Sequence, residues 1–248
     1  MDKTLLKGLE VLEYVVLTGG PVRSIDIAND LQLQKSNVHR VLKTLQAAGY
    51  LQQDERTREY TPTLKLWELG AAAVADLDLR QYAAGAMREL SQASGETVHL
   101  SVLDGRDVIY IDKIDSPQPV AAYTRMGGRA PAYCVATGKA LLSALSPTQL
   151  EPLIETLDSH SPETITDRST LLVDLQQVRE RGYSINRGEW REDVWGIAAN
   201  IRDASGFVVA AIGLSGPKFR LDEEHRLEEL GAQVKAAARQ IETLLGSQ

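Results

Sequence analysis

Residues 32–51, QLQKSNVHRVLKTLQAAGYL, decide the predicted fold of the N-terminal part of this chain. The segment has no acidic residue, although the 248-residue chain has a formal net charge of −7. Its basic and histidine side chains are Lys35, His39, Arg40 and Lys43. Its apolar side chains follow the spacing of one helix face: Val38, Val41, Leu42 and Leu45. The pattern therefore predicts a helix with an apolar face and a basic face, ended by Gly49.

The flanking segments place this helix in a larger motif. Residues 3–17 have helical apolar spacing and end before GGP at 19–21. Ser24 is predicted to cap a second helix, and Ser36 to cap the basic one. Residues 50–61 are typical of a hairpin with a charged tip at 54–57. Helix, helix, turn, helix and hairpin is the order of a winged helix-turn-helix.

The charge is divided unevenly along the chain. Up to Lys65 there are nine basic and eight acidic residues, a balance of +1, whereas the remainder carries −8. The N-terminal part is therefore the better candidate for binding a polyanion. Cys134 is the only cysteine, so a disulfide scaffold is excluded, and a reducing cytoplasm fits the composition. No signal peptide or membrane span is expected, because no apolar run approaches about 18 residues.

The remaining chain mixes helices with antiparallel strands. Residues 64–79 are predicted to form a connecting helix, followed by a helix at 79–94. The alternation in residues 99–115 predicts a hairpin around DGRD, and 120–126 is a third strand candidate. Helices are expected to start at 137, at 146 and at 170, the last stopped by Gly182. Strands at 183–190, 195–203 and 205–217 precede a terminal helix at 221–245, so the sequence predicts an α+β fold.

The basic helix has the size and chemistry to enter the DNA major groove, since both are about 12 Å wide. Asn37 and Arg40 are the candidate base readers, because Asn suits adenine and Arg suits guanine. The candidate phosphate contacts are Arg23, Ser24, Lys35, Ser36 and Lys43. Arg56 and Arg58 in the wing could reach the backbone or an adjacent minor groove. His39 fits a packed edge residue as well as a DNA contact, and Arg58 could instead pair with Asp54 or Glu55. The alternatives for the whole face are a solvated helical bundle or a winged helix that contacts protein.

Three segments together resemble the IclR family of bacterial transcription regulators: residues 24–51 with 58–70, residues 126–142, and residues 181–217. The resemblance spans about residues 4–245, and around 60–70 and 108–116 it extends to regulators of pectin and sugar-acid catabolism. It implies a winged helix-turn-helix domain at 1–63, a linker helix at 64–79 and a GAF-like α+β effector-binding domain at 80–248. It also implies repression or activation of transcription, homodimers and dimers of dimers. The candidate dimer contacts are Leu5, Leu9, Leu12, Leu66, Leu69 and Ala73.

The resemblance further implies a pocket for a small organic, aromatic or sugar acid. Its candidate residues are Ala122, Met126, Ala130, Tyr133, Ala136, Thr137, Asn186, Glu189, Trp190, Val194, Gly196, Gly213 and Ser215. Backbone N–H groups where the helix of TGKALL begins would bind a carboxylate, aided by hydroxyl and amide donors. The chain departs from the family pattern where Tyr133, Gly196 and Asn200 replace the usual His, Cys and Pro. For the apolar candidates, ordinary core packing remains an equal alternative.

The sequence contains only weak signals for a phosphate-binding loop, a metal site or a catalytic site. Gly138 and Lys139 do not form a P-loop, because Tyr133 stands at its first glycine position and Ala140 follows the lysine. The four histidines lack metal-ligand spacing, so neither a metal nor a cofactor is expected. Two further hypotheses remain. One is an enzyme of small metabolites that uses Glu189 or Cys134 and dimerises through its N-terminal module, and the other is a protein-interaction adaptor.

Overall fold

The computed structural model describes residues 2–73 and 79–246. The chain divides into two compact units, Met1–Leu77 (unit 1) and Asp78–Gln248 (unit 2). None of the described helices combines the length and apolarity needed to cross a membrane.

Unit 1 is a small helical motif with a two-stranded wing. Its elements are α1 (Lys3–Leu17), α2 (Ser24–Asp30), α3 (Lys35–Ala47), β1 (Leu51–Gln53), β2 (Tyr60–Pro62) and α4 (Lys65–Ala73). The two strands pair antiparallel, with Leu51 opposite Pro62. The predicted winged helix-turn-helix is confirmed in element order. The predicted connecting helix is described only as far as Ala73, because residues 74–78 lie outside the described residues.

One apolar cluster holds unit 1 together. Its buried members come from α1, α2, α3, the segment before α2 and both strands: Val11, Val15, Val22, Ile27, Ala28, Val38, Leu42, Leu51 and Tyr60. The apolar face predicted for α3 is therefore confirmed, and the basic side chains lie on its outer surface. Removing these side chains from water is the main favourable contribution to the fold of this unit.

The predicted serine caps are wrong. The N-cap of α2 is Arg23 and that of α3 is Gln34, and neither provides a capping side-chain bond. Backbone bonds between Val22 and Tyr60 keep the chain extended as far as Arg23, so Ser24 already belongs to the helix. Ser36 likewise lies one residue inside α3.

Unit 2 is a six-stranded antiparallel sheet covered by helices on both faces. Its first elements are α5 (Leu79–Ser94), β3 (Thr97–Asp104), β4 (Asp107–Ile114), β5 (Arg129–Pro131), α6 (Ala136–Ser143) and α7 (Pro147–Leu150). They are followed by α8 (Arg168–Arg181), β6 (Ser184–Arg187), β7 (Val194–Arg202), β8 (Val208–Pro217), α9 (Lys218–Leu221) and α10 (Glu224–Leu245). The strand order is β5-β4-β3-β8-β7-β6. The predicted α+β class is confirmed.

The two faces of the sheet have different cores. One cluster joins α5 and α10 to the face that carries Val98 and Leu100. The other joins α6 and α8 to the face that carries Ala198 and Ala211. Because side chains alternate along a strand, His99 points to the second face. That face also holds the candidate pocket.

Three predicted elements differ from the structure. Residues 120–126 are not a strand; the chain there is an irregular loop, and β5 forms further on at 129–131. The helix predicted from 146 ends at Leu150, and a 3₁₀ turn follows at Glu151–Leu153, where Pro152 has no N–H to donate. The terminal helix begins at Glu224, after the separate turn α9. Gly182 ends α8 in the left-handed conformation with φ 79°, as predicted.

Candidate nucleic-acid interface and ligand cavity

The outer face of α3 is basic and open to solvent. Its exposed candidates are Lys35, Ser36, His39, Arg40 and Lys43, and Asn37 beside them is half-buried. Among the described residues, the Arg40 side chain has no hydrogen bond or ion pair. Its guanidinium is therefore available for an external acceptor.

Lys43 is attached to the wing. Its Nζ donates to Gln46 Oε1 and to Gln53 Oε1 in β1, each at 3.2 Å. Both acceptors are neutral amides, so the ammonium keeps its full charge. This geometry suits a positioning contact with phosphate better than a base contact.

The other DNA candidates surround this face. Arg23 Nε is 3.1 Å from Glu59 Oε1, so part of its charge is already balanced. Ser24 is half-buried at the start of α2, while Arg56 and Arg58 are exposed at the wing tip. Asp54 accepts hydrogen bonds from the N–H groups of Arg56 and Thr57, which lower the pKa of its carboxyl. Within the described chain, Arg58 forms no ion pair with Asp54 or Glu55, so the pairing considered for it is not present.

Unit 2 contains a cavity of about 420 Å³, here called the ligand cavity. It lies between the first turn of α6, the strands beneath it and the loop at residues 121–128. Nine of the thirteen predicted pocket residues line it: Ala122, Ala130, Ala136, Thr137, Asn186, Trp190, Val194, Gly196 and Ser215. The volume is in the range of small-molecule sites.

Four predicted residues do not line the ligand cavity. Met126 is 44% exposed on the loop. The Tyr133 hydroxyl donates to the Asp158 carbonyl at 2.8 Å, which turns its ring toward His160 instead. Glu189 is turned away by an ion pair with Lys139, described below. Gly213 lies in β8 beneath Thr137.

Two glycines fix α6 against its surroundings. A Cβ on Gly138 would overlap the Ala132 carbonyl oxygen. A Cβ on Gly213 would lie 2.7 Å from the Ala198 Cβ and 3.0 Å from the Thr137 Cγ2. Both positions therefore require glycine for the start of α6 to reach the sheet.

The polar side chains at the floor of the ligand cavity were not all predicted from the sequence. His99 and Tyr110 line it, with their ring centroids 5.2 Å apart. His99 Nε2 and Ser215 Oγ share a hydrogen bond of 2.6 Å. Within the described residues, His99 Nδ1 and Thr137 Oγ1 are buried without a partner. Buried polar atoms normally have partners, so these two point to a ligand with polar groups of its own. The available signal was the strand alternation, which places His99 between two core residues.

The floor of the ligand cavity is uncharged near neutral pH. Burial lowers the pKa of His99 to about 4, and Lys113 adds to this effect. Burial also raises the pKa of Tyr110 to about 12, although Arg191 opposes the rise. A neutral imidazole and two hydroxyls therefore offer hydrogen bonds without bringing charge.

The depressed pKa of His99 predicts a loss of stability in acid. The unfolded chain binds a proton at about 6.5 and the folded chain only near 4, so stability is fully present above 6.5 and falls as the pH drops toward 4. The loss amounts to roughly 3 kcal/mol. Urea unfolding across this pH range should give a steeper decline for the natural chain than for His99→Gln. Parallel pH profiles would contradict the assignment.

The mouth of the ligand cavity provides positive charge. Arg125 and Arg191 line it, are exposed and form no ion pair among the described residues. Arg129 is already paired with Asp104 and Asp107. The first turn of α6 has no capping side chain, since Val135 is its N-cap. Two arginines and an uncapped helix start together favour an anion.

Asn186, which lines the ligand cavity, also makes two hydrogen bonds within the protein. Its Nδ2 donates to the Cys134 carbonyl, and its Oδ1 accepts from the Gly188 N–H. The amide therefore holds the segment before α6 to the loop after β6. The Nδ2 group has a second N–H, so these bonds leave a donor for a ligand.

Lys139 is buried beneath the ligand cavity with two carboxylates. Only 1% of its surface is exposed, and its Nζ is 2.6 Å from Glu189 Oε1 and 3.0 Å from Asp174 Oδ2. Glu189 Oε2 also accepts a hydrogen bond from the Arg187 N–H. This network joins α6, α8 and the loop that carries Trp190, so it fixes two walls of the cavity.

Among the described residues, neither Cys134 nor the acidic side chains form another recognisable site. Burial raises the pKa of the Cys134 thiol to about 12, which keeps it protonated near neutral pH. Across the described ranges, no group of three or more His, Cys, Asp or Glu side chains has the geometry to hold a metal ion.

Family models match both units. The model of the IclR helix-turn-helix domain matches residues 4–55, and that of the bacterial transcriptional regulator IclR C-terminal region matches residues 71–243. The HTH-type transcriptional regulator KdgR of Escherichia coli K12 is 38% identical over 223 residues, which are 89% of this chain and 84% of the relative. The HTH-type transcriptional repressor AllR of the same strain is 36% identical over 246 residues, covering 98% and 90%.

Solved structures agree along the whole chain. An IclR homolog from Microbacterium hydrocarbonoxydans, crystallised with 4-hydroxybenzoate, has a TM-score of 0.87 at 27% identity and covers 99% of this chain and 100% of that one. The Thermotoga maritima IclR has a TM-score of 0.81 at 29% identity and covers 98% of both chains.

Proposed function

This chain belongs to the IclR family of DNA-binding transcription regulators, and we propose that a small organic acid in its ligand cavity controls operator binding. The observation that carries the proposal is the ligand cavity itself. Within the part of the chain that the structure describes, its floor has hydrogen-bonding groups without partners and its mouth has arginines without ion pairs. A carboxylate with a polar group at its other end satisfies both.

The proposed DNA contacts are the exposed face of α3 and the wing. Arg40 and Asn37 read bases, and Lys35, Ser36 and Lys43 contact phosphates. Arg23, Ser24, Arg56 and Arg58 would hold the flanking backbone, and the role of His39 stays open. The test is binding of the full chain to DNA flanking its gene, measured at two salt concentrations. Absence of sequence preference and of salt dependence would refute the proposal.

The effector is proposed to be an organic, aromatic or sugar acid. The relative crystallised with 4-hydroxybenzoate supports this class, because that compound has a carboxylate and a hydroxyl at opposite ends. Here the carboxylate would lie near the start of α6 and the mouth arginines. The second polar group would reach His99 and Ser215 at the floor. A thermal-shift screen of such acids against the full chain identifies the best ligand.

Removing two cavity hydroxyls should weaken that ligand. We expect Ser215→Ala combined with Thr137→Val to lower its affinity at least about tenfold, because two hydrogen bonds are lost. Calorimetric titration measures the change. The matched control is Ser205→Ala with Thr243→Val, two exposed positions outside the cavity, which should bind as the natural chain does. Unchanged affinity in the cavity variant would remove these hydroxyls from the proposed site.

We also propose a homodimer, with dimers of dimers as the larger assembly. Apolar side chains on α1 and α4 support this, since Leu5 is 61% exposed and Leu9 and Leu69 are each 47% exposed. Leu12 and Leu66 are half-buried, and the Ala73 side chain lies outside the described ones. We propose three parts of the chain: the DNA-binding domain at 1–63, the linker helix at 64–79 and the effector-binding domain at 80–248. The separation of the compact units after Leu77, inside the connecting segment, supports this division.

The relatives are named as transcriptional regulators. The enzyme alternative depended on Glu189 and Cys134, and the surroundings of both oppose a catalytic role. Glu189 is held by Lys139, and the high pKa of Cys134 opposes formation of a thiolate nucleophile. We therefore propose a cytoplasmic regulator without catalytic activity. Turnover of any acid by the purified chain would overturn this.

A further inference from the structure

A second cavity of about 290 Å³ opens at the other end of α6, here called the cationic cavity. It is bounded by the C-terminal ends of α6 and α8, the end of β7 and the face of α10. It shares no lining residue with the ligand cavity. The volume of the cavity is due to short side chains in its walls, which include four alanines: Ala140, Ala144, Ala199 and Ala238.

The cationic cavity concentrates positive charge in the acidic part of the chain. Its cationic side chains are Arg179, Arg202, Lys235 and Arg239, and its only carboxylate is Glu242. Within the described residues, none of the four cations forms an ion pair. Three of them contact neutral carbonyl oxygens instead: Arg179 donates to Ser143 at 2.7 Å, Lys235 to Arg181 at 3.2 Å and Arg202 to Gly206 at 2.9 Å.

Capping of helix ends accounts for only part of this charge. The C-termini of α6 and α8 each carry about half a negative charge, so together they offset about one cation. Glu242 offsets another, although its Oε1 also accepts from the Arg202 N–H at 2.8 Å. About two positive charges remain without a counterpart. Arg239 has no described side-chain partner at all.

The remaining charge and the cavity polarity fit a phosphate group. Phosphate esters carry about −1.5 to −2 near neutral pH, whereas a carboxylate carries only one charge. Arginine forks bind phosphate oxygens in pairs. Asn200 Oδ1, buried without a partner among the described residues, could accept from a hydroxyl on the ligand. We propose that the cationic cavity binds a dianionic phosphate group, either free phosphate or a small phosphate ester.

The test is calorimetric titration of the full chain with inorganic phosphate, with sodium chloride at equal ionic strength as the reference. We expect saturable phosphate binding that weakens as a falling pH protonates the dianion to the monoanion. Glycerol phosphate is the second titrant, and tighter binding of it would assign the site to an ester. Acetate should bind much more weakly, and equal binding would overturn the proposal.

Two variants and a control locate the binding. Arg202→Gln with Arg239→Gln should lower phosphate affinity at least about tenfold, since each charge-assisted bond is among the stronger polar contacts. Ala144→Leu, at an exposed position in the wall, should block the cavity without removing charge. Arg88→Gln, an exposed arginine on α5, should have no effect. Affinity unchanged in both cavity variants, or a double variant that loses DNA affinity instead of phosphate affinity, would overturn the proposal.

Discussion

Replacing Arg40 by alanine is expected to lower operator affinity by about tenfold to a hundredfold while changing affinity for random DNA far less. Arg40 is exposed on the outer face of α3, and its guanidinium has no partner among the described residues. Its donors are therefore free for the paired acceptors of guanine. Competition binding with an operator selected from random duplexes measures both affinities.

Lys43→Ala is the contrasting variant for that experiment. Lys43 keeps its charge but is held by Gln53 in the wing, so it should contact phosphate without reading sequence. Its loss should weaken specific and random DNA alike and reduce the salt slope by about one. If Arg40→Ala also weakens both DNAs equally, Arg40 is a phosphate contact and not a base reader.

Replacing Lys139 by methionine is expected to lower the free energy of unfolding by about 3–5 kcal/mol. The change leaves the buried Glu189 carboxylate without its counter-ion and removes the partner of Asp174 Oδ2. An uncompensated buried charge costs far more than the lost lysine chain contributes by packing. Urea denaturation followed by circular dichroism measures the difference.

A second change should restore much of this stability. In Lys139→Met with Glu189→Gln, the amide is neutral and can still accept from the Arg187 N–H, while Asp174 keeps Arg181 Nη2 at 4.0 Å from its Oδ1. The control is Lys218→Met, an exposed lysine in α9, which should change stability by less than about 0.5 kcal/mol. A loss below about 1 kcal/mol in Lys139→Met would mean that the carboxylates find other partners.

The elements of unit 1 could be predicted because their signals are local. The spacing of Val38 and Leu42 determines which face of α3 is buried, whatever packs against it. The serine caps were wrong because the pairing of Val22 with Tyr60, far along the chain, determines where α2 begins. Residues 120–126 resemble a strand by composition, but the structure has an irregular loop there, and only the short β5 at 129–131 pairs with β4.

The candidate cavity was only partly predictable for a similar reason. The start of α6 has a recognisable sequence, and Thr137 and Ser215 do line the ligand cavity. His99 was not predicted as a cavity residue. Its position on the floor depends on β3 lying beside β8, which no local sequence pattern indicates. Glu189 was expected in the pocket, since its ion pair with Lys139, 50 residues earlier in the chain, is not visible in the local sequence.

Gly138 and Gly213 limit how this cavity can diversify among related proteins. Any larger residue at either position would displace α6 from the sheet, so both positions are expected to remain glycine. In the loop at 121–128, which supplies other wall residues together with Trp190 and Arg191, comparable limits fall on Gly127, with φ +72°, and Gly128, whose added Cβ would lie 2.7 Å from the Arg125 carbonyl oxygen. New effector preferences should therefore arise by substitution at the other positions of these two segments, while Gly138 and Gly213 hold α6 in place.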